Sequence, residues 1–455
     1  MNRLTPVVYA VTCLCLALAS SSGAWGQGTA VGPGSPGPQT PPAVSGEQSA
    51  NNLTSANALT WEQLKARFEA QNPDLKADQL GVDEARAAEI TAFLRPNPGF
   101  SFSTDGTQLT PEHGVWQPLI GTQFQSQLSY LHERSRKREL RLETAKDATR
   151  VAESQHEDLK RTLEFTLRAA FVQVLQAKAV LKLAQADLEY YDKIIEISQS
   201  RFRAGDIAQI DLDRIELQRV QYESELQNAL VNLRTNKIQL LQLLNDRMPV
   251  EQFDVDGSFD FSPELKPLDE FRKVALDTRP DLRAAMQTIE QSKAAHKLAV
   301  ANGSTDPTFA GWYTRNPSFN NPNDVNTLGL SFSIPLRFFD RNQGEKKRTL
   351  IDIDKSTQSS ESAKAQVFSD VDSAYAQVDS NITLLKPYKA KYLQQSTRVR
   401  DTITFSYQHG GASLTDFLNA QSEYRTVQLA YLQLIGTYLT AASQLNLAVG
   451  REVIP

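Results

Sequence analysis

The side chains able to do chemistry are few and scattered. Five histidines, His113, His132, His156, His296 and His409, stand without metal-ligand spacing, and no HExxH, CxxC or EF-hand pattern is present. Both cysteines, Cys13 and Cys15, lie in an apolar N-terminal stretch. No glycine-rich phosphate loop follows a strand pattern, and there is no Gly-x-Ser-x-Gly elbow. These absences point away from an enzyme, a cofactor or a dedicated metal site. One chemical feature does recur. Phe202-Arg203-Ala204-Gly205 is followed by Asp211, and Tyr407-Gln408-His409-Gly410 is followed by Asp416, a glycine and a carboxylate at the same spacing.

That recurrence belongs to a larger one. Asn72-Pro73-Asp74-Leu75 returns as Arg279-Pro280-Asp281-Leu282, and between the markers each half runs short helix, two alternating strands, very long helix, glycine turn, long helix. A unit of about 200 residues is too long for a solenoid repeat. The expected division is 58–266 for the first repeat and 267–450 for the second, with 451–455 as a tail.

The N-terminus has a different character. Arg3 supplies a positive region, Val7 to Ala19 an apolar stretch, and Ala24 or Gly26 a small-residue cleavage position. Residues 1–26 therefore read as a signal peptide, which makes the protein exported and leaves the mature chain without cysteine. Cleavage ahead of Cys13 would give a lipid anchor, but Ala10-Val11-Thr12 lacks the usual leucine. Residues 27–57, rich in Gly, Pro, Ser and Thr, read as a flexible leader. The net charge of −5 gives no reason to expect nucleic acid as a partner. Beyond the first 30 positions no run of about 18 apolar residues occurs, so no transmembrane helix is expected.

Four segments alternate strictly. Phe124, Leu128 and Tyr130 share one face of Gln123–Tyr130, with glutamines and Ser129 on the other. Leu328, Leu330, Phe332, Ile334, Leu336 and Phe338 share one face of the segment from Thr327 to Phe338. Upstream partners are Gly99–Thr104 and Pro307–Arg315. Period-two alternation marks a sheet with one apolar side. Two readings fit it: soluble hairpins packed on helices, or strands of a transmembrane β-barrel. Four strands are too few to close a barrel, since known ones begin at about eight. Membrane strands would therefore need several chains.

The helices are too long for a compact domain. Leu167, Val174, Leu181, Leu188, Ile195 and Phe202 repeat on the heptad, with Leu163, Ala170, Ala177, Ala184 and Tyr191 as the second row. Val371, Val378, Leu385, Tyr392 and Val399 do the same in the second half. A helix from Arg134 to Arg203 would run roughly 105 Å. Two long hairpins follow, with tips at Gly205 and at Gly410-Gly411, where Asp206 and Ser413 are candidate caps for the returning helices. Asn342 followed by Glu345 reads as a capping box at the start of another helix.

Taken together, the signal peptide, duplicated half, strand pairs and glycine-tipped coiled hairpins resemble the TolC family of outer-membrane efflux channels over about Leu59 to Gly450. The stretch from Ile334 to Gly344 looks most like the branch serving cobalt–zinc–cadmium and copper–silver efflux. The resemblance implies a membrane α+β fold: a homotrimer whose four strands per chain make a 12-stranded barrel in outer-membrane lipid, continued by an α-helical tunnel across the periplasm. Its implied partners are a periplasmic adaptor at the tips, touching Gly205, Asp206, Gly410, Gly411 and Ser413, and an inner-membrane pump. The family's entrance carboxylates map onto Asp416, with Asn419 where a second aspartate often sits and Ala412 where a basic gate partner often sits. Asp211 is the first-half equivalent, with Arg214 as a local ion partner. An Asp416 ring from three chains would favour cations. The rival expectation is a periplasmic coiled-coil scaffold or adaptor, extractable without detergent.

Overall fold

A computed structural model describes residues 58–111, 113–119, 121–316 and 325–454. The expected signal peptide and leader, most of the loop between the last two strands, and Pro455 lie outside the described residues. Helices α1 (Trp61–Gln71) and α2 (Pro73–Phe93) lead into strands β1 (Gly99–Asp105) and β2 (Gln123–Leu131), then the 68-residue α3 (Lys137–Ala204) and α4 (Gln209–Leu243). The same order follows in α5 (Leu268–Thr278), α6 (Pro280–Asn302), β3 (Thr308–Arg315), β4 (Asn326–Ser333), α7 (Gln343–Pro387), α8 (Leu393–Gln408) and α9 (Leu414–Val449).

The four strands form one antiparallel sheet in the order β1-β2-β3-β4. Register sets Phe100 opposite Leu128, Leu128 opposite Gly311 and Gly311 opposite Leu330. Phe102, Phe124, Tyr130, Phe309, Tyr313, Leu328 and Phe332 fall on that same face by the two-residue period. Nothing in the described chain covers it: Phe100 is 71% exposed, Leu328 80% and Leu330 82%. The expectation of a strand running to Phe338 is corrected here. β4 ends at Ser333, paired with Thr308, because Pro335 has no N–H for a ladder.

Along α3 the heptad rows bury wholly or partly as far as Ile195, while Phe202 is exposed; the tips share one core and each half fills another of its own. Leu167, Val174 and Leu240 sit in that of the first half; Val371, Val378, Leu385 and Leu445 sit in that of the second. The helix that begins with α7 departs from expectation. Pro387 cannot donate a backbone hydrogen bond, and the chain passes through a π-helical turn at Tyr388–Tyr392. A π turn inserts one residue, so the seam slips by one: Tyr392 and Val399 turn outward, while Arg400 is half-buried and Tyr407 is buried. The capping box at Asn342 does not form either. Asn342 takes a left-handed conformation (φ 62°) and its amide donates instead to the Ala299 carbonyl at 2.8 Å.

Candidate functional site at the paired helical tips

Both tips turn on a glycine that must be left-handed. Gly205 has φ 83° and Gly410 φ 77°, values that cost an L-residue roughly 1 kcal/mol or more. Gly205 N–H bonds the Phe202 carbonyl (3.0 Å) and Asp206 N–H the Arg201 carbonyl (2.9 Å), which closes the last turn of α3. Asp206 does not cap α4, contrary to expectation. Its N–H is spent on α3, and two residues separate it from the helix, which starts after Ala208 without a side-chain cap.

The second tip is built differently. Gly411 N–H bonds the Ser406 carbonyl at 2.7 Å, and Ser413 then caps α9 as expected. Ser413 Oγ donates to the Asp416 carboxylate at 2.7 Å and accepts the Asp416 N–H at 3.1 Å; the Ser413 N–H donates to the same carboxylate at 3.2 Å. These hydrogen bonds hold the exposed Asp416 carboxyl below its ordinary value, so it is charged at neutral pH. Asn419, one turn on, is exposed and lines a shallow cleft with Gln218, Gln221, Ser422 and Arg425. Asp211 is half-buried near Tyr407. Burial raises the Tyr407 hydroxyl above its ordinary value, and the Asp211 charge adds to that while Arg201 opposes it. The expected Asp211–Arg214 pair does not form; Arg214 is exposed, with no ion partner among the described residues.

What joins the tips was not singled out from sequence. Arg201 on α3 donates to the Tyr407 carbonyl at 2.8 Å, with its guanidinium 5.2 Å from the Tyr407 ring. Tyr407 stacks on Phe417 at 5.0 Å, Phe417 meets Tyr191 at 6.4 Å, and Tyr191 meets Tyr222 at 4.7 Å. The four helices α3, α4, α8 and α9 thus share one aromatic core.

Above it lies a charged layer. Arg400, brought inward by the π turn, stacks over Tyr424 (4.0 Å) and Tyr190 (4.8 Å) and pairs with Asp401 at 2.7 Å. Arg425 pairs with Glu225 and stacks over Tyr222 at 5.3 Å. The Tyr190 hydroxyl donates to Thr404 Oγ1 at 3.0 Å. Asp187 faces this layer with one carboxylate oxygen buried and accepting no hydrogen bond. Burial pushes its carboxyl up to about 6, against the pull of Arg425 and Arg400. Among the described residues no helix is long and apolar enough to cross a membrane, and no group of three or more His, Cys, Asp or Glu side chains converges as a metal site.

This geometry has known counterparts. A family model described as outer membrane efflux protein matches residues 66–246 and 272–451. The chain is 22% identical to the cobalt-zinc-cadmium resistance protein CzcC of Cupriavidus metallidurans over 87% of this chain and 91% of that protein. It is 24% identical to the outer membrane protein TolC of Escherichia coli over 81% of this chain and 77% of that one. The solved structure of CusC superposes with a TM-score of 0.72 at 17% identity, covering 86% of this chain and 92% of the other.

Proposed function

The chain belongs to the outer membrane efflux protein family, and we propose that it is the outer-membrane exit duct of a tripartite efflux system. The observation that carries this reading is the uncovered apolar face of the sheet. Leu328, Leu330, Phe100 and Phe332 are all more than half exposed on it, and burying each in lipid is worth about 1.5–3 kcal/mol. A water-facing sheet would waste that energy; a barrel wall in lipid gains it.

The free edges of β1 and β4 call for neighbours, and an open edge cannot stand in hydrocarbon. Three chains in a 12-stranded barrel satisfy them. The helices support the same assembly: Ile210 (57% exposed), Leu217 (71%), Val231 (62%) and Ile238 (51%) recur on the heptad along α4 with no intrachain cover. The division into repeats at 58–266 and 267–450 then gives each chain two strands and one hairpin per repeat. The tips, including Gly205, Asp206, Gly410, Gly411 and Ser413, meet a periplasmic adaptor, with an inner-membrane pump beyond it. Asp416, Asn419 and Asp211 line the entrance. The chain conducts passively and is no enzyme.

The cargo class follows from the likeness to a cobalt-zinc-cadmium resistance protein: divalent metal cations, which the exposed Asp416 carboxylates would admit ahead of anions. The test is fractionation of cell envelopes. The duct reading expects a trimer in the outer membrane that resists carbonate washing and comes away only with detergent. Release by carbonate would instead favour the periplasmic scaffold.

A further inference from the structure

The rim of the sheet nearest the helices is formed by Gly99, Leu131, Thr308 and Ser333. The segments leaving it carry five arginines that form no ion pair with a carboxylate among the described residues, Arg95, Arg134, Arg136, Arg337 and Arg341, although Arg136 and Arg337 lie within electrostatic reach of Glu139 and Asp306. Of the acids there, Asp306, Glu133 and Glu139 are ion-paired, and Asp340 accepts a backbone N–H. Asp306 takes Lys137 Nζ at 2.5 Å and the Arg134 N–H at 2.9 Å; Glu133 pairs with Arg141; Glu139 pairs with Arg138 at 3.0 Å; Asp340 accepts the Asn342 N–H at 2.8 Å.

These segments meet in space. Arg141 donates to the carbonyls of Ala92 and Leu94 at 3.3 Å each, drawing in the approach to β1. Arg337 acts electrostatically on Asp306, and the Arg341 carbonyl lies directly against Gly303. The two helix starts hold this arrangement with the same unusual backbone, left-handed at Arg136 (φ 56°) and at Asn342 (φ 62°). Such conformations cost about 1 kcal/mol or more each and persist only where the surroundings impose them.

Beside the arginines lie large apolar side chains with no cover. Leu94 is 59% exposed, Leu336 73%, Phe338 68% and Phe339 93%. They lie just outside β1 and β4, in the segments that join the sheet to the helices. Excess arginine next to exposed aromatic side chains, at the border of a lipid-facing surface, matches the chemistry of a headgroup layer: rings at the interface and guanidinium forks on phosphate oxygens.

We propose that this rim binds anionic glycerophospholipid in the leaflet facing the helices, with Arg337 and Arg341 on the headgroup phosphate and Phe338 and Phe339 seated at the acyl boundary. The proposal rests on the membrane-spanning reading of the sheet. Its occupant is lipid because these segments carry more cations than carboxylates and adjoin the lipid-facing side of the sheet.

The test uses the full-length protein reconstituted in phosphatidylcholine vesicles doped with phosphatidylglycerol. Flotation scores insertion, and lipid extracted from the purified trimer scores enrichment of phosphatidylglycerol over the bulk. The wild type should insert and enrich phosphatidylglycerol, and the enrichment should fade at high salt. Arg337→Gln with Arg341→Gln should insert as a trimer yet lose enrichment by about fivefold per arginine removed, while the double lysine variant keeps most of it. Insertion without enrichment, or equal enrichment in wild type and the glutamine variant, overturns the lipid assignment alone. Failure of the wild type to float with the vesicles overturns the membrane reading and this proposal with it.

Discussion

Ser413 and Asp416 hold each other at the start of α9: the serine hydroxyl donates to the carboxylate at 2.7 Å and takes back the aspartate N–H at 3.1 Å. One carboxylate thus has two jobs, ending a turn and presenting a charge. Two substitutions separate them. Ser413→Ala removes the cap and should cost about 1 kcal/mol at the tip, seen as faster hydrogen exchange in the first turn of α9, with ion selectivity kept. Asp416→Asn retains an acceptor and loses the charge, so cation preference in a planar bilayer should fall while exchange barely changes. Because the hydrogen bonds depress the Asp416 carboxyl, wild-type selectivity should persist as pH falls through about 4, where a free aspartate protonates.

Arg201 and Tyr407 bind the tips to one another through a guanidinium-to-carbonyl hydrogen bond of 2.8 Å. A bond of this charged type is worth about 1.5–3 kcal/mol. Arg201→Gln should therefore shift the closed–open balance of the tips by at least about tenfold, measured as a higher open probability in single-channel records. An unchanged open probability would remove Arg201 from the closure.

Asp187 predicts a pH effect of opposite sign to Asp416. Its folded value of about 6 lies above the ordinary 3.8, so the folded protein holds this proton more tightly than the unfolded chain. The stabilisation is complete below about 4 and is lost as pH rises through about 6. Asp187→Asn should stabilise the tip half at pH 8 by on the order of 1–2 kcal/mol, allowing for partial solvent screening. It should also flatten the thermal-stability profile between those limits. A variant with the wild-type slope would show that another group sets it.

On the sheet, Leu330 is 82% exposed on the apolar face. Leu330→Arg should cost about 2–4 kcal/mol at mid-bilayer depth and reduce the trimer recovered in the outer membrane. Ser331→Arg, on the opposite face, should be recovered normally. Equal recovery would contradict the orientation of the sheet.

Much of this was legible in the sequence because period is a strong signal. Strict alternation marked all four strands, and unbroken heptads from Leu163 to Phe202 marked α3, which has no proline to interrupt it. The misreadings have local causes. Pro335 ends β4 while the apolar alternation runs on to Phe338, so a pattern of side chains outlasted the backbone able to use it. Pro387 admits a π turn that slips the seam by one residue. The heptad extended from Leu385 therefore pointed to Tyr392 and Val399, and hid Arg400 and its stacking on Tyr190 and Tyr424. Asp206 and Asn342 are good cap formers by type, but each lies where the backbone has another use for it. Asp416 stood out as a carboxylate repeated at a fixed spacing from a tip glycine, and its entrance role came from the family resemblance. Arg201, Asp187 and Arg425 carry no such spacing, and only packing between helices distant in sequence brings them to the tips.

The most direct test of the central claim is single-channel conductance of the detergent-purified trimer in a planar bilayer, with reversal potentials under a salt gradient. A passive duct with an acidic entrance gives discrete steps that favour cations, open more often with Arg201→Gln. A trimer that inserts but yields no steps, even with Arg201→Gln, would contradict it.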